Sequence, residues 1–231
     1  PSTVPYKQNI FALKKLGVTD ILSVSACGSL REDLVPGDFV LVDQFIDRTY
    51  LRDKSFFGKG CVAHVSLAHP TCNKFSDIIL KIGKKLNIKI VSGGTYMTME
   101  GPQFSTLAES KLYKDNWKCD VIGMTNMPEA KLAKEAEICY VSLSMVTDFD
   151  CWHPDHDSVE VSDIIETLTN NSSKAQRIVE ALPEFLDQDI KFCGAQCSKK
   201  SLDNALITAP EKRDKDVLEK LDVILERLNK K

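Results

Sequence analysis

Residues 138–146, ICYVSLSMV, constrain the fold of this chain more than any other stretch. The nine residues carry no charge, and they are too few to span a bilayer. A run this apolar is buried on both faces, as in the central strand of a sheet covered by helices. It ends in Thr147-Asp148-Phe149-Asp150, where two carboxylates alternate. Period-two spacing puts both on one face, and like charges that close are unfavourable without partners. One reading is a pair that recognises hydrogen-bond donors on a ligand, one member having a raised pKa that lets it donate a proton. The other is helix capping or a solvated turn.

The rest of the chain alternates in the same way. Tyr6, Ile10, Leu13 and Leu16 recur at helical spacing, with Gly17 as a C-terminal stop. Residues 20–26 read as a buried strand that runs into a small-residue turn, Ser25-Ala26-Cys27-Gly28-Ser29-Leu30. Residues 39–42 form a second strand after the Pro36-Gly37 turn. Phe75, Ile78, Ile79, Ile82 and Leu86 make one helical face. Residues 95–99 are strand-like and are broken by Glu100-Gly101-Pro102. A helix over 105–113 takes Ser105 as its N-cap, a strand follows at 120–124, and Pro128-Glu129 opens a helix to 136. Residues 161–181 are helical. Residues 214–228 carry one stripe, Val217, Leu221, Ile224 and Leu228, expected to form a terminal helix. Apolar strands alternating with helices predict an α/β domain.

With 231 residues, 43% hydrophobic and 27% charged, the chain suits one soluble domain with a real core. A net charge of -3 offers no basic surface for nucleic acid. With no signal peptide and no membrane-spanning run, the expected location is the cytoplasm, the nucleus being also open. Most of the eight cysteines, Cys27, Cys139 and Cys151 among them, sit in strand-like runs and read as buried reduced thiols. Cys193 and Cys197, in CGAQC, could be a redox pair or half a metal site. No second Cys/His pair of zinc-like spacing lies nearby, so no metal is expected. His153, Asp155, His156 and Asp157 flank Pro154 and suit a surface loop.

In α/β sheets, ligands collect at the C-terminal ends of strands. Those ends carry Ser25-Ala26, residues 100–104, Met124-Thr125 and residues 147–150. A small-residue turn at Ser25 could bind an anion through backbone N–H groups and a hydroxyl, or be simply a turn. Thr125 could add a second hydroxyl, or cap a helix.

Taken in order, SACGSLRE (25–32), DQFIDRT (43–49), MEGPQFS (99–105), MTNMPEA (124–130) and TDFDCW (147–152) resemble the trimeric purine nucleoside phosphorylases, most closely the branch that acts on 5'-methylthioadenosine. The resemblance runs from about residue 1 to about 183. It implies a single α/β domain, a central mixed and mostly buried sheet flanked by helices, over 1–190, with a C-terminal segment, 191–231, packed on it or on a neighbour. The implied reaction is phosphorolysis of 5'-methylthioadenosine to adenine and 5-methylthioribose 1-phosphate by a homotrimer, with inorganic phosphate as co-substrate and no cofactor or membrane. A 6-oxopurine nucleoside phosphorylase and a non-catalytic nucleoside-binding fragment are the alternatives.

The resemblance also implies roles. Ser25, Ala26 and Thr125 would bind phosphate. Phe104 would stack on the purine, with Ser105 beside it, and Met124 would lie under the ribose. Asp148, after Thr147, would bond N7 and the 6-amino group and act as general acid, supported by Asp150. Val161, Ile164 and Ile165 would wall the 5'-methylthio group. His64, and a segment near Thr208, would reach a neighbouring subunit's site. Asp at 148, where 6-oxopurine enzymes carry Asn, favours a 6-amino purine. Three departures stand out. The family's first strand, Gly-rich phosphate loop, and Arg and His ligands match nothing here, so the chain as written is expected to be inactive alone. The loop near 58–61 is short. Gly123 stands where a larger polar residue is common, which leaves the ribose-side contact there open.

Overall fold

The computed structural model describes residues 1–154, 161–186, 193 and 198–229, with backbone only for 161–164. Seven strands form one mixed sheet: β1 (Asp20–Ser29), β2 (Phe39–Val42), β3 (Gln44–Asp47), β4 (Ile90–Ser92), β5 (Thr95–Thr98), β6 (Val121–Gly123) and β7 (Cys139–Asp148). Their order is β3-β5-β6-β1-β7-β2-β4. The two longest strands, β1 and β7, pair in parallel from Asp20↔Cys139 onward. Against them β6 and β2 run antiparallel. The mixed α/β sheet expected from the sequence is therefore present, with residues 139–146 inside its longest buried strand.

The alternation within β7 divides the core. Cys139, Val141, Leu143 and Met145 face a cluster built on α2 (Asn73–Leu86) and α5 (Val161–Phe185), with Ile79, Ile82 and Ile178 fully buried. Tyr140 faces the opposite cluster. That cluster joins α1 (Tyr6–Lys15), α4 (Glu129–Glu135) and the final helices α6 (Lys215–Lys220) and α7 (Asp222–Asn229) through Ile10, Leu132, Ala133, Leu221 and Ile224. Burying a Leu or Ile fully stabilises by about 1.5–3 kcal/mol, so these two layers fix the sheet in place. No helix among the described residues is long and apolar enough to cross a membrane.

Four local readings are corrected. The stretch at 25–30 is not a turn. It continues β1 to Ser29, with a register shift between Cys27 and Gly28 where the strand meets Asp148. The N-cap of α3 (Leu107–Lys111) is Thr106, not Ser105. Thr106 and Glu109 form a reciprocal capping box, and the Thr-x-x-Glu spacing allows it where Ser105 would face Ala108. The terminal stripe is two helices that break at Leu221, the first capped by Asp214. Two short strands, β3 and β4, had no legible pattern.

One stretch is unusual. Residues 20–26 of β1 are only half-buried although the strand is central, because β6 pairs with it only at Gly28 and Ser29.

Candidate active site

The C-terminal ends of β1, β6 and β7 converge on one cleft. Ala26, Cys27, Gly28, Met99, Phe104, Gly123, Met124, Thr147, Asp148 and Asp150 line it. The strand order makes this convergence: β1 lies between β6 and β7, and its register shift drops Gly28 opposite Asp148. A Cβ at Gly28 would lie 2.7 Å from Asp148 Oδ1. Only glycine lets the backbone pass that close to the carboxylate.

The two carboxylates are locked differently. Asp148 Oδ1 accepts the backbone N–H of Asp150 at 2.8 Å, and Oδ2 accepts the Thr147 hydroxyl at 2.7 Å. Asp150 is buried in the left-handed region at φ 52°, which short polar residues tolerate. Its carboxylate accepts the Ser110 hydroxyl from α3. Burial pushes the Asp150 carboxyl above its ordinary value, and the Asp148 charge adds to that against the Ser110 hydrogen bond. Burial therefore biases Asp150, which the sequence reading cast as the support of Asp148, toward protonation.

Across the cleft, Phe104 leaves its ring 48% exposed, an open aromatic face on a loop end. The buried Ser105 hydroxyl lies near the Asp150 carboxylate, Thr106 having taken the capping role. The loop that carries both is anchored from behind. Arg52 and Glu100 form a buried ion pair at 3.1 Å. Arg52 Nη1 also donates to the Met127 carbonyl at 2.6 Å, and Nη2 to the Glu100 carbonyl at 2.9 Å. Burial alone would raise the Glu100 carboxyl, but hydrogen bonds from Ser2, the Tyr50 and Leu51 N–H groups and Arg52 outweigh it and hold the group at about 2.

Further along β1, the buried Ser25 hydroxyl has only the Tyr96 hydroxyl near it, and the buried Asn126 Nδ2 has no hydrogen-bond partner. Asn126 Oδ1 meanwhile accepts Tyr140 at 2.8 Å and Ser142 at 3.0 Å, which fixes the amide with its donor end free. Buried polar groups are nearly always paired, so the unpaired Asn126 donor points to a missing partner. Thr125 is exposed, and its hydroxyl meets the Tyr96 hydroxyl at 3.3 Å. Tyr96 also accounts for Gly123. A Cβ there would lie 1.9 Å from the tyrosine oxygen, so the fully buried Tyr96 hydroxyl fills the space of a side chain at 123.

The structure thus brings together Ala26, Phe104, Met124, Thr147, Asp148 and Asp150, with Ser25, Ser105 and Thr125 on adjoining positions. Ile165 is exposed and does not line the cleft. The side chains of Val161 and Ile164 lie outside the described residues, as does Cys197. His64 is exposed and lines a separate cavity of about 420 Å³ with Lys131 and Glu135. The segment near Thr208 lies beside it: Val62 N–H donates to Thr208 Oγ1 at 2.9 Å, and His64 N–H to the Ala205 carbonyl at 2.8 Å. A third and larger cavity, about 650 Å³ between Phe11, Phe56 and Leu221, is lined by apolar side chains with Lys7, Lys59 and Lys220, and has no carboxylate or histidine in its lining. The smaller cleft, which holds the Asp148 and Asp150 carboxylates, is the candidate site. Ser110, Tyr96 and Arg52 carried no sequence signal, since each acts through a partner that only the fold brings near.

The phosphorylase superfamily profile matches residues 1–184. An S-methyl-5'-thioadenosine phosphorylase of Cereibacter sphaeroides is 59% identical over 230 residues, covering 100% of this chain and 79% of that protein. A methylthioadenosine phosphorylase from an antarctic soil metagenomic library superposes with a TM-score of 0.90 at 44% identity, over 97% of this chain and 78% of that one. A mutant of adenosine/methylthioadenosine phosphorylase from Schistosoma mansoni, solved with methylthioadenosine, superposes at 0.75 with 37% identity, over 80% of this chain and 70% of that one.

Proposed function

The chain belongs to the phosphorylase superfamily, and from that premise we infer that it catalyses phosphorolysis of 5'-methylthioadenosine to adenine and 5-methylthioribose 1-phosphate. The relatives named above support the reaction. The observation that carries it on this chain is the cleft itself: the Asp148 carboxylate, fixed by the Thr147 hydroxyl and the Asp150 N–H, shares its walls with the exposed Phe104, with Met124 and with Ala26. A fixed carboxylate beside an open aromatic face suits a nucleoside base.

In the reaction a phosphate oxygen bonds C1' of the ribose as the C1'–N9 bond breaks, and the bonding electrons pass into the purine. The transition state has oxocarbenium character, as in glycoside hydrolysis. Phosphate held by Ser25, Ala26 and Thr125 stabilises the positive sugar carbon. The departing adenine is neutral once N7 carries a proton. Asp148 faces N7 and the 6-amino group, and the Asp148/Asp150 pair supplies the proton, Asp150 being the member that burial biases toward protonation. Phe104 stacks on the base, Ser105 bonds its edge, and Met124 packs under the ribose with the Tyr96 hydroxyl behind it. By the resemblance, Val161 and Ile164 would wall the 5'-methylthio group; Ile165, exposed and off the cleft, does not. Phosphate is the co-substrate, and the proposal needs no organic cofactor.

We place the enzyme in the cytoplasm as a homotrimer. The two segments that the resemblance sent to a neighbour's site, at His64 and near Thr208, are hydrogen-bonded side by side away from the cleft, which supports one shared surface serving an adjacent subunit. Adenine release from methylthioadenosine should depend on phosphate, and light scattering should give three chains. Release without phosphate, or faster turnover of inosine, would overturn the assignment.

A further inference from the structure

Three cysteines remote in sequence meet far from the cleft. Cys72 and Cys193 Sγ atoms are 3.4 Å apart, and Cys139 and Cys193 are 3.5 Å apart. All three sulfurs lie within 4.8 Å of one another. Cys139 is the first residue of β7, nine residues before Asp148. At about 3.3 Å per residue this is roughly 30 Å from the substrate cleft. Cys72 is the N-cap residue of the 14-residue α2, so its sulfur sits at the positive end of a helix. Cys193 belongs to the segment that follows α5.

We propose that Cys72, Cys139 and Cys193 form a thiolate site for zinc. Sulfurs bound to one zinc at about 2.3 Å stand about 3.8 Å apart in a tetrahedron. Two of the separations are a few tenths of an ångström short of that value and the third is within 4.8 Å, so small rotations of the three side chains close the site. A disulfide needs about 2.0 Å, far shorter than the 3.4 Å and 3.5 Å between these sulfurs. One further feature suits metal-bound thiolates: the nearby Asp20 carboxylate, which would oppose them, is paired with Lys199 at 3.1 Å. Binding exchanges thiol protons for the metal with no redox change, and three protein ligands leave one tetrahedral position for a further donor. The ion would pin the segment at Cys193 to the start of α2 and to β7. Spacing in the sequence predicted no metal, because the ligands are supplied by three separate elements.

Cobalt(II) titration of reduced, chelator-treated protein is the test. One cobalt per chain should bind, with sulfur-to-metal charge-transfer absorption and the intense visible bands of a tetrahedral centre. Cys193→Ser should weaken binding at least about tenfold, since ligands matter more than the outer contacts worth 10–100-fold. Cys119→Ser, a buried cysteine elsewhere, should leave the spectrum unchanged. Zinc should raise the melting temperature of the wild-type chain and not of Cys193→Ser, while adenine release survives in that half-exposed variant. No thiolate-type cobalt spectrum, a spectrum insensitive to Cys193→Ser, or a protein isolated anaerobically with a Cys72–Cys193 disulfide, two hydrogens light, would overturn the site.

Discussion

The two sides of the cleft are finished to different degrees. On the side proposed to read the base, Asp148, Thr147, Asp150 and Ser110 hold one another through hydrogen bonds inside the chain. On the side proposed to take phosphate, the buried Ser25 hydroxyl has only the Tyr96 hydroxyl near it, Thr125 is exposed, and β1 is half-buried. A corner that reads a base must discriminate before chemistry, so it is built rigid. A corner that takes an anion keeps its donors free, and the anion completes it.

The comparison can be broken by substitution, and the largest effect belongs to the base side. Asp148→Ala should lower kcat/KM for methylthioadenosine by about 10²–10⁴-fold, the range of a lost acid–base group, and initial rates of adenine release measure it. Next is the support of the base-side loop. Arg52→Ala leaves the buried Glu100 carboxylate without its counter-charge, held only by Ser2 and the Tyr50 and Leu51 N–H groups, which costs up to about 3–5 kcal/mol, read as a lower urea midpoint. The same network sets an acid limit. Glu100 is held at about 2 against an ordinary 4.5. A lowered acid stabilises the fold above its ordinary value, and that contribution is lost as the pH falls from about 4.5 toward 2. Wild-type urea midpoints should drop over that window, and the drop should shrink in Arg52→Ala.

Smaller effects separate the sides. Ser25→Ala removes a hydroxyl that has only the Tyr96 hydroxyl near it, so stability should change by less than about 0.5 kcal/mol. The KM for phosphate should rise several-fold, about the 0.5–1.5 kcal/mol of one hydrogen bond. A loss of stability with an unchanged KM would make Ser25 structural. Smallest is Asp150→Asn. Burial raises the Asp150 carboxyl, and a raised acid weakens the fold as the pH climbs through its ordinary value toward the raised one. Thermal melts should therefore show the variant slightly stabilised at neutral pH, with the gain vanishing in acid.

Much of this was legible in the sequence because it is periodic. The ICYVSLSMV run placed β7, and the alternating Asp148 and Asp150 marked its useful end. Capping was legible but easily misplaced by one residue: Thr106 and Glu109 stand at the required spacing, and Ser105 competes for the role. Gly28 and Gly123 could not be read. Their reasons, the nearness of Asp148 and of the Tyr96 hydroxyl, exist only once β1, β5, β6 and β7 are side by side. The same holds for Arg52 with Glu100, 48 residues apart, and for the three cysteines.

The most direct measurement is the ratio of kcat/KM for methylthioadenosine over inosine in the wild-type chain and in Asp148→Asn. A carboxylate accepts from a 6-amino group and confronts a 6-oxo group with an unpaired lone pair, a difference of about 1–3 kcal/mol. The wild-type chain should favour methylthioadenosine, and the variant should lose about ten- to a hundredfold of that preference. An unchanged ratio would remove Asp148 from base recognition, and with it the account of the built side of the cleft.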